Sequence, residues 1–196
     1  MSADRLAQTA RNTWPKNPPD LCCGLGGWSE EFLAAGWRCV GVDLADFSAA
    51  YPGEFVQADL LTWEGWRELR PLVVLSSPPC EEFSRWCMPW TRAKQPLQPD
   101  LSLWRRAELI ARTLKVPLVQ ENVRGAQPWV GRSVLHRGPF HLWGDVPPVL
   151  PDFAVRRKSA MYSVRRSAVA YALRRAERAK IPFELAHYFG QVFHPH

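Results

Sequence analysis

Short apolar runs alternate along the chain with longer segments whose apolar positions recur at helical spacing. The runs predict five strands, at 21–23, 38–42, 55–58, 72–75 and 116–120. The helical segments lie at 29–35, 63–70, 100–114 and 163–179, with a short last helix opened by Ile181-Pro182. The proline-rich stretch 77–99 reads as a long loop, and at most a hairpin is expected around 140–143. This alternation predicts a single α/β domain over residues 1–196, with a Rossmann-like, doubly wound and mostly parallel sheet in a core at 18–151.

Acidic or reactive residues close four of the predicted strands. Asp43 and Asp59 end the second and third strands, Cys80 comes just after the fourth, and Glu121 ends the fifth. In doubly wound sheets, ligands bind outside the carboxyl ends of the strands. We therefore expect these four side chains to lie along one functional edge.

The first turn, DLCCGLGGWS, is rich in glycine. Gly24, Gly26 and Gly27 let a backbone pass close to a ligand, although their spacing does not meet the dinucleotide-binding pattern. A carboxylate at Asp43 can accept both hydroxyls of an adenosine ribose, and Asp59 can accept from an adenine amino group. Each feature alone is typical of an ordinary turn or strand end. The glycine turn, Asp43 and Asp59 at successive strand ends together predict a site for a nucleoside-containing cofactor.

Composition limits the class of protein. The N-terminal residues contain no apolar stretch that could act as a signal peptide, and no transmembrane run is present. Five cysteines form an odd set without a Cys-x-x-Cys pair, which favours free thiols in a cytoplasmic protein. No metal is expected, because His136 and His141 lack acidic or thiol companions at ligand spacing.

Positive charge is concentrated near the C-terminus. Nine Lys or Arg residues and one acid lie between Arg156 and Lys180, a window of +8 in a chain of net charge +6, so the remaining residues carry −2. Such a strip, within a basic segment at 156–196, suits a nucleic-acid phosphate backbone. The alternative is a solvated helix face. Trp86, Trp90 and Trp104, interleaved with cations, additionally suggest stacking on unpaired bases.

The segments DLCCGLGGWSEEFLAAGW, VGVDLADF, QADL, SSPPCEEFS and QENV resemble, in order and approximate separation, the motifs of the DNA cytosine-5 methyltransferase family. Pro79-Cys80 is similar to that family's Pro-Cys nucleophile motif, and Glu121-Asn122-Val123 to its Glu-Asn-Val motif. IPFELA is a weaker form of its last motif. The resemblance covers residues 20–123 well and the C-terminal third poorly.

The resemblance implies that Cys80 adds to carbon 6 of cytosine and that carbon 5 then attacks a methyl group. A thiol is suited to this addition near neutral pH. Glu121 would protonate or hydrogen-bond N3 of the base, and Asn122 would support the Cys80 loop through its amide. The implied methyl donor is S-adenosylmethionine. The residues expected around that cofactor are Cys22, Gly24, Gly26, Gly27, Trp28, Asp43, Asp59 and Pro79.

Several family features are altered. Cys22 replaces the phenylalanine that stacks on adenine in the family, so Trp28 or another aromatic residue is expected to take that role. The Gln-x-Arg-x-Arg segment is not recognisable, and Arg132 could substitute for it. Ser84, Arg85, Arg124 and Arg132 are the expected contacts to nucleic acid. Little of the chain remains for a target-recognition domain, which predicts low sequence specificity and a phage-like compact enzyme acting on DNA, single-stranded or with a flipped base.

Two alternatives stay open. One is modification of a free cytosine nucleotide, favoured by the lack of a recognition domain and disfavoured by the basic strip. The other is a catalytically idle nucleic-acid-binding relative, disfavoured by the presence of Cys80 and Glu121. The transferred group is most simply methyl, although a modified sulfonium donor could deliver a variant of it.

Overall fold

The computed structural model describes residues 17–84, 98–147 and 180–193. The strands are β1 (Pro19–Leu21), β2 (Val40–Asp43), β3 (Glu54–Gln57), β4 (Val74–Ser76), β5 (Leu118–Asn122), β6 (Leu135–Arg137) and β7 (Phe140–Gly144). The helices are α1 (Ser29–Ala34), α2 (Glu81–Ser84), α3 (Ser102–Leu114), α4 (Gln127–Val130) and α5 (Phe183–Val192). Two short 3-10 turns cover Gly65–Glu68 and Arg124–Ala126.

The seven described strands form one sheet in the order β3-β2-β1-β4-β5-β7-β6. Strands β1 to β5 pair in parallel, and β7 adds an antiparallel hairpin beside β5. The strand order reverses between β1 and β4, which is the switch point where ligands bind in such sheets. The predicted Rossmann-like, doubly wound and mostly parallel architecture is confirmed.

Helices cover both faces of the sheet. On one face, α1 and α5 bury an aromatic core that includes Trp28, Phe32 and Phe189. On the other face, α3 packs Ala107 and Ile110 against the strands. This double coverage explains why every residue of β4 and β5 is buried, including the polar residues at their carboxyl ends.

Several predicted boundaries were wrong. The first strand is Pro19–Leu21 rather than 21–23, because Cys22 has a positive φ of 56° and turns the chain out of the sheet. The segment 63–70 contains only the 3-10 turn, since Leu69 is extended and Arg70 precedes Pro71, which disfavours helix. The loop after β4 contains the one-turn helix α2.

Other expectations met the structure closely. The Asp100 carboxylate accepts the Ser102 N–H at 2.8 Å at the start of α3, and the short last helix is α5. The hairpin is larger than expected, since it pairs residues from 135 to 144. The predicted helix at 163–179, the basic strip up to residue 179, Arg85, Trp86 and Trp90 lie outside the described residues. Within the described part of the chain, no helix has the length and apolar character needed to cross a membrane.

Candidate active site at the carboxyl edge of the sheet

The sheet brings Cys80 and Glu121 to the same edge. Strands β4 and β5 are adjacent and parallel, with Ser76 opposite Gln120, so both chains leave the sheet side by side. Cys80 follows four residues after Ser76 and is half-buried, whereas Glu121 is only 6% exposed. Two residues that are 41 positions apart in sequence therefore lie at the ends of neighbouring strands.

Asn122 ties these two strand ends together. Its buried side-chain amide donates to the Pro78 carbonyl at 2.8 Å, and its Oδ1 accepts the Val123 N–H at 2.9 Å. Pro78 lies two residues before Cys80. The Asn122 amide is therefore hydrogen-bonded to the segment that leads into Cys80.

The two segments beyond the strand ends are also in close contact. A Cβ built on Gly125 would lie 2.4 Å from the Phe83 carbonyl oxygen, so only glycine allows the 3-10 turn to approach α2 this closely. The Cys80 carbonyl accepts N–H groups from Phe83 and Ser84, which fixes the start of α2. Cys80 is thus held from both sides of its loop.

Asp43 shapes the glycine turn after β1. Its Oδ2 accepts the Gly24 N–H at 3.0 Å, and its Oδ1 accepts the Ala45 N–H at 3.0 Å. Partial burial raises the pKa of the Asp43 carboxyl, while these backbone donors act in the opposite direction. The glycine turn is therefore hydrogen-bonded to the end of β2 at the switch point. Cys22, Gly24 and Asp43 are all partly exposed there.

Three residues assigned to the cofactor instead pack against protein. A Cβ on Gly26 would lie 2.6 Å from Pro52 Cδ, and one on Gly27 would lie 2.4 Å from the Ile181 backbone nitrogen. Trp28 is 1% exposed, packs edge-to-face on Phe189 in the core, and donates its Nε1–H to Ser77 Oγ at 3.1 Å. Trp28 is therefore not open to stacking on adenine in this conformation, and another aromatic residue in that role stays a prediction.

The other expected cofactor residues are at the surface of the same edge. Asp59 is exposed and its Oδ1 accepts the Leu61 N–H at 2.9 Å, so the carboxylate stabilises its own turn. Pro79 is exposed, directly before Cys80. Desolvation, followed by the carboxylates of Asp43 and Asp20, raises the pKa of the Cys22 thiol.

A buried polar cluster underlies the glycine turn. The Ser29 hydroxyl donates to Asp20 Oδ2 at 2.8 Å and also contacts the Tyr51 hydroxyl. Burial raises the pKa of Asp20 to about 8 despite the Ser29 hydrogen bond. This cluster links β1 to the start of α1 from within the core.

A basic cleft of about 710 Å³, called the hairpin cleft below, opens beside β7. The cationic and imidazole side chains among its lining residues are Arg124, Arg132, His136, Arg137 and His141. Two of the expected nucleic-acid contacts, Arg124 and Arg132, therefore meet in one groove. Sequence patterns do not bring His136, Arg137 and His141 together, because the three meet only when β6 pairs with β7.

The remaining expected contacts differ in position. Ser84 is half-buried at the end of α2, on the Cys80 loop. Trp104, which the sequence suggests could stack on unpaired bases, is instead 4% exposed in α3 and packs edge-to-face on Trp143. In the described ranges no three His, Cys, Asp or Glu side chains cluster as metal ligands would.

Comparisons with known proteins give structural neighbours only. No protein-family model and no curated protein matches the sequence. The chain is similar to the crystal structure of a DNMT2 mutant from Spodoptera frugiperda, with 18% identity and a TM-score of 0.40, over 57% of this chain and 37% of that one. It is also similar to the PH0226 protein from Pyrococcus horikoshii OT3, with 17% identity and a TM-score of 0.38, over 76% of this chain and 64% of that one. The chain thus spans less than two thirds of either neighbour.

Proposed function

We propose that the protein transfers a methyl group from S-adenosylmethionine to carbon 5 of cytosine in DNA, with Cys80 as the nucleophile. The observation that carries the proposal is the convergence of Cys80 and Glu121 at one sheet edge, with Asn122 bonded to the Pro78 carbonyl two residues before Cys80. A thiol and a carboxyl at the ends of neighbouring strands can supply the pair needed to attack a pyrimidine ring and to stabilise the charge that develops on it.

Cys80 opens the reaction. Its thiolate adds to carbon 6, which breaks the aromatic conjugation and makes carbon 5 nucleophilic. The described cysteines of the core do not compete, because burial raises the pKa of Cys23 and Cys39 far above their usual range. After transfer, loss of the carbon 5 proton to a base expels the Cys80 thiolate and restores the ring.

Glu121 supports the addition at the other end of the ring. In its protonated form it donates to N3, which becomes basic as electrons move from the new carbon–sulfur bond. Its burial excludes water, so this hydrogen bond is stronger than it would be at the surface. The proton returns to Glu121 when the thiolate leaves.

The residues at the switch point fit a nucleoside cofactor. The Asp43 carboxylate is only partly buried and is fixed by two backbone N–H groups, so its remaining acceptor positions can receive ribose hydroxyls. Gly24 has a φ of 51°, which turns the loop without a side chain. When bound, S-adenosylmethionine supplies an electrophilic methyl group.

The direct test is nucleoside mass spectrometry of DNA from cells that express the protein. We expect 5-methylcytosine with the parent chain and none with Cys80→Ser, because a hydroxyl has almost no anion near neutral pH. Glu121→Gln should reduce the rate severely while cofactor binding is kept. Cys39→Ala, which removes a thiol in the core, is the matched control and should remain active.

A covalent trap tests the nucleophile separately. DNA containing 5-fluorocytosine should form a stable adduct with the parent chain, since fluorine at carbon 5 cannot leave as a proton does. An adduct that forms equally with Cys80→Ser would refute the role of Cys80. A product mass other than that of 5-methylcytosine would show that another group is transferred.

A further inference from the structure

The hairpin cleft has the composition of an anion site. Three arginines line it, and none of its ten lining residues, all of them in the described part of the chain, is acidic. Guanidinium groups suit phosphate because their planar N–H donors match its oxygens. The lining also includes the His136 and His141 rings, stacked with centroids 5.0 Å apart and 12° between their planes.

The cleft lies at the same edge of the sheet as Cys80 and Glu121. His141 stands opposite Asn122 across the β5–β7 pair, and the turn between β6 and β7 follows directly beyond it. Glu121 stands opposite Leu142, so it projects to the other face of the sheet from Asn122 and His141. Asn122, which stands opposite His141, also donates to the Pro78 carbonyl two residues before Cys80, so the Cys80 loop and the hairpin that carries the cleft are both joined to the end of β5.

We propose that the hairpin cleft binds a backbone phosphate flanking the target cytosine, through Arg124, Arg132 and Arg137 above the stacked His136–His141 pair. The inference rests on the proposed function for the identity of the base. The cleft would supply the residues that position the strand. The substrate would then be a polymer rather than a free nucleotide. A target cytosine in a strand carries phosphates on both sides of its sugar, so anchoring one of them presents the base to Cys80.

Phosphate binding at this cleft is linked to a proton. His141 is 7% exposed and its Nδ1 contacts Ser133 Oγ at 2.9 Å. The charged or titratable groups around it are His136 and Arg137 from β6, Arg124 from the 3-10 turn, Arg132 from the loop before β6, and Glu121 from β5 on the opposite face.

Burial lowers the pKa of His141, and the positive charges of His136 and Arg124 lower it further. The ring is therefore neutral at pH 7 in the free protein. A phosphate in the cleft offsets those positive charges and raises this pKa, so binding takes up a proton. Affinity should rise as pH falls from about 8 to about 6.

Fluorescence anisotropy with a labelled single-stranded 12-nucleotide DNA containing one cytosine tests the cleft. Arg124→Gln and Arg132→Gln are surface changes and should each weaken binding by about tenfold at low salt. Each should also reduce the slope of log affinity against log salt by about 1. Arg38→Gln removes the same charge from an exposed pair with Glu54 at the other side of the sheet, and should bind like the parent.

The proton link is measured in the same assay as a function of pH. The parent should bind several-fold more tightly at pH 6 than at pH 8, and His141→Gln should lose most of that difference. His187→Gln is the matched control, because His187 contacts Glu31 on α1, away from the cleft. Unchanged affinity and salt slope in both arginine variants, or parental pH dependence in His141→Gln, would overturn the proposal.

Competition with free deoxycytidine monophosphate shows whether the cleft binds a DNA backbone phosphate or the phosphate of a free nucleotide. Weak competition, at concentrations far above the strand's own dissociation constant, supports a backbone phosphate, and equal competition contradicts it.

Failure of the cleft is distinguishable from failure of the proposed function. If 5-methylcytosine forms while cleft variants bind normally, the cleft inference alone is wrong. If cleft variants bind weakly but no methylated base forms, the cleft stands as a phosphate site and the proposed chemistry is wrong.

Discussion

Replacing Asn122 with Asp isolates the bond that holds the Cys80 loop. Asp keeps an oxygen that accepts the Val123 N–H at the same position, but an ionised carboxylate cannot donate to the Pro78 carbonyl. The carbonyl would lose its partner in a site where Asn122 is 1% exposed. Leaving one such group unsatisfied costs about 1–3 kcal/mol, and placing a carboxylate against it adds repulsion.

The effect on activity should exceed the effect on stability. The loop would shift by a fraction of the spacing between sulfur and carbon 6, and a displacement of about 1 Å at a reacting centre can cost about a hundredfold in rate. We expect kcat for methyl transfer to fall by about ten- to a hundredfold, with the dissociation constant of S-adenosylmethionine unchanged. Steady-state kinetics, calorimetry and urea unfolding measure these three quantities.

A pH series supplies the internal check. As pH falls, the Asp at this position protonates and can again donate to the Pro78 carbonyl, so the rate relative to the parent should recover. A rate of the variant that matches the parent at neutral pH, or a loss that does not depend on pH, would refute the positioning role. If the variant also loses affinity for S-adenosylmethionine, Asn122 acts on the cofactor side of the site rather than on the Cys80 loop.

Three further predictions concern the frame of the site. Asp43→Ala should abolish cofactor binding measured by calorimetry, because it removes the acceptor of the Gly24 N–H, whereas the exposed Asp46→Ala should bind normally; equal affinities would contradict the cofactor assignment. Gly125→Ala should lower the melting temperature and the activity, since its Cβ would lie 2.4 Å from a carbonyl oxygen, whereas Gly190→Ala meets nothing closer than 3.7 Å and should be neutral. Because the pKa of Asp20 is raised to about 8 in the folded state, the unfolded chain binds fewer protons between about pH 4 and pH 8, and stability should fall as pH rises through this window, by at most about 1.4 kcal/mol per pH unit. Urea unfolding of Asp20→Asn should show a flatter dependence, and an unchanged slope would exclude this group as the cause.

The sequence predicted the strand ends better than the packing around them. Asp43 ends β2 and Glu121 is the last residue but one of β5, because periodicity and a change to polar residues are local signals. The Asn122 bond to the Pro78 carbonyl agrees with the role that the family resemblance implies for this amide.

The features that the sequence did not predict depend on contacts between residues far apart in the chain. A glycine that approaches a ligand and one that approaches protein look alike in sequence, and Gly26 and Gly27 are of the second kind. Trp28 belongs to the core because α5 covers it from more than 150 positions away. The His136–His141 pair likewise exists only through strand pairing.

The approach of Ile181 to Gly27 has a consequence for synthesis of the chain. The turn that holds Asp43 and Gly24 is complete only when residues near 181 pack against it, and those residues leave the ribosome after the whole sheet. Contacts of such large sequence separation form late and slowly, because a long loop must close first. During translation the nascent chain therefore exposes the uncovered face of Trp28 and cannot present a finished cofactor turn. The contact of Ile181 with the glycine turn and the packing of α5 on Trp28 therefore form only after all the described strands have been synthesised.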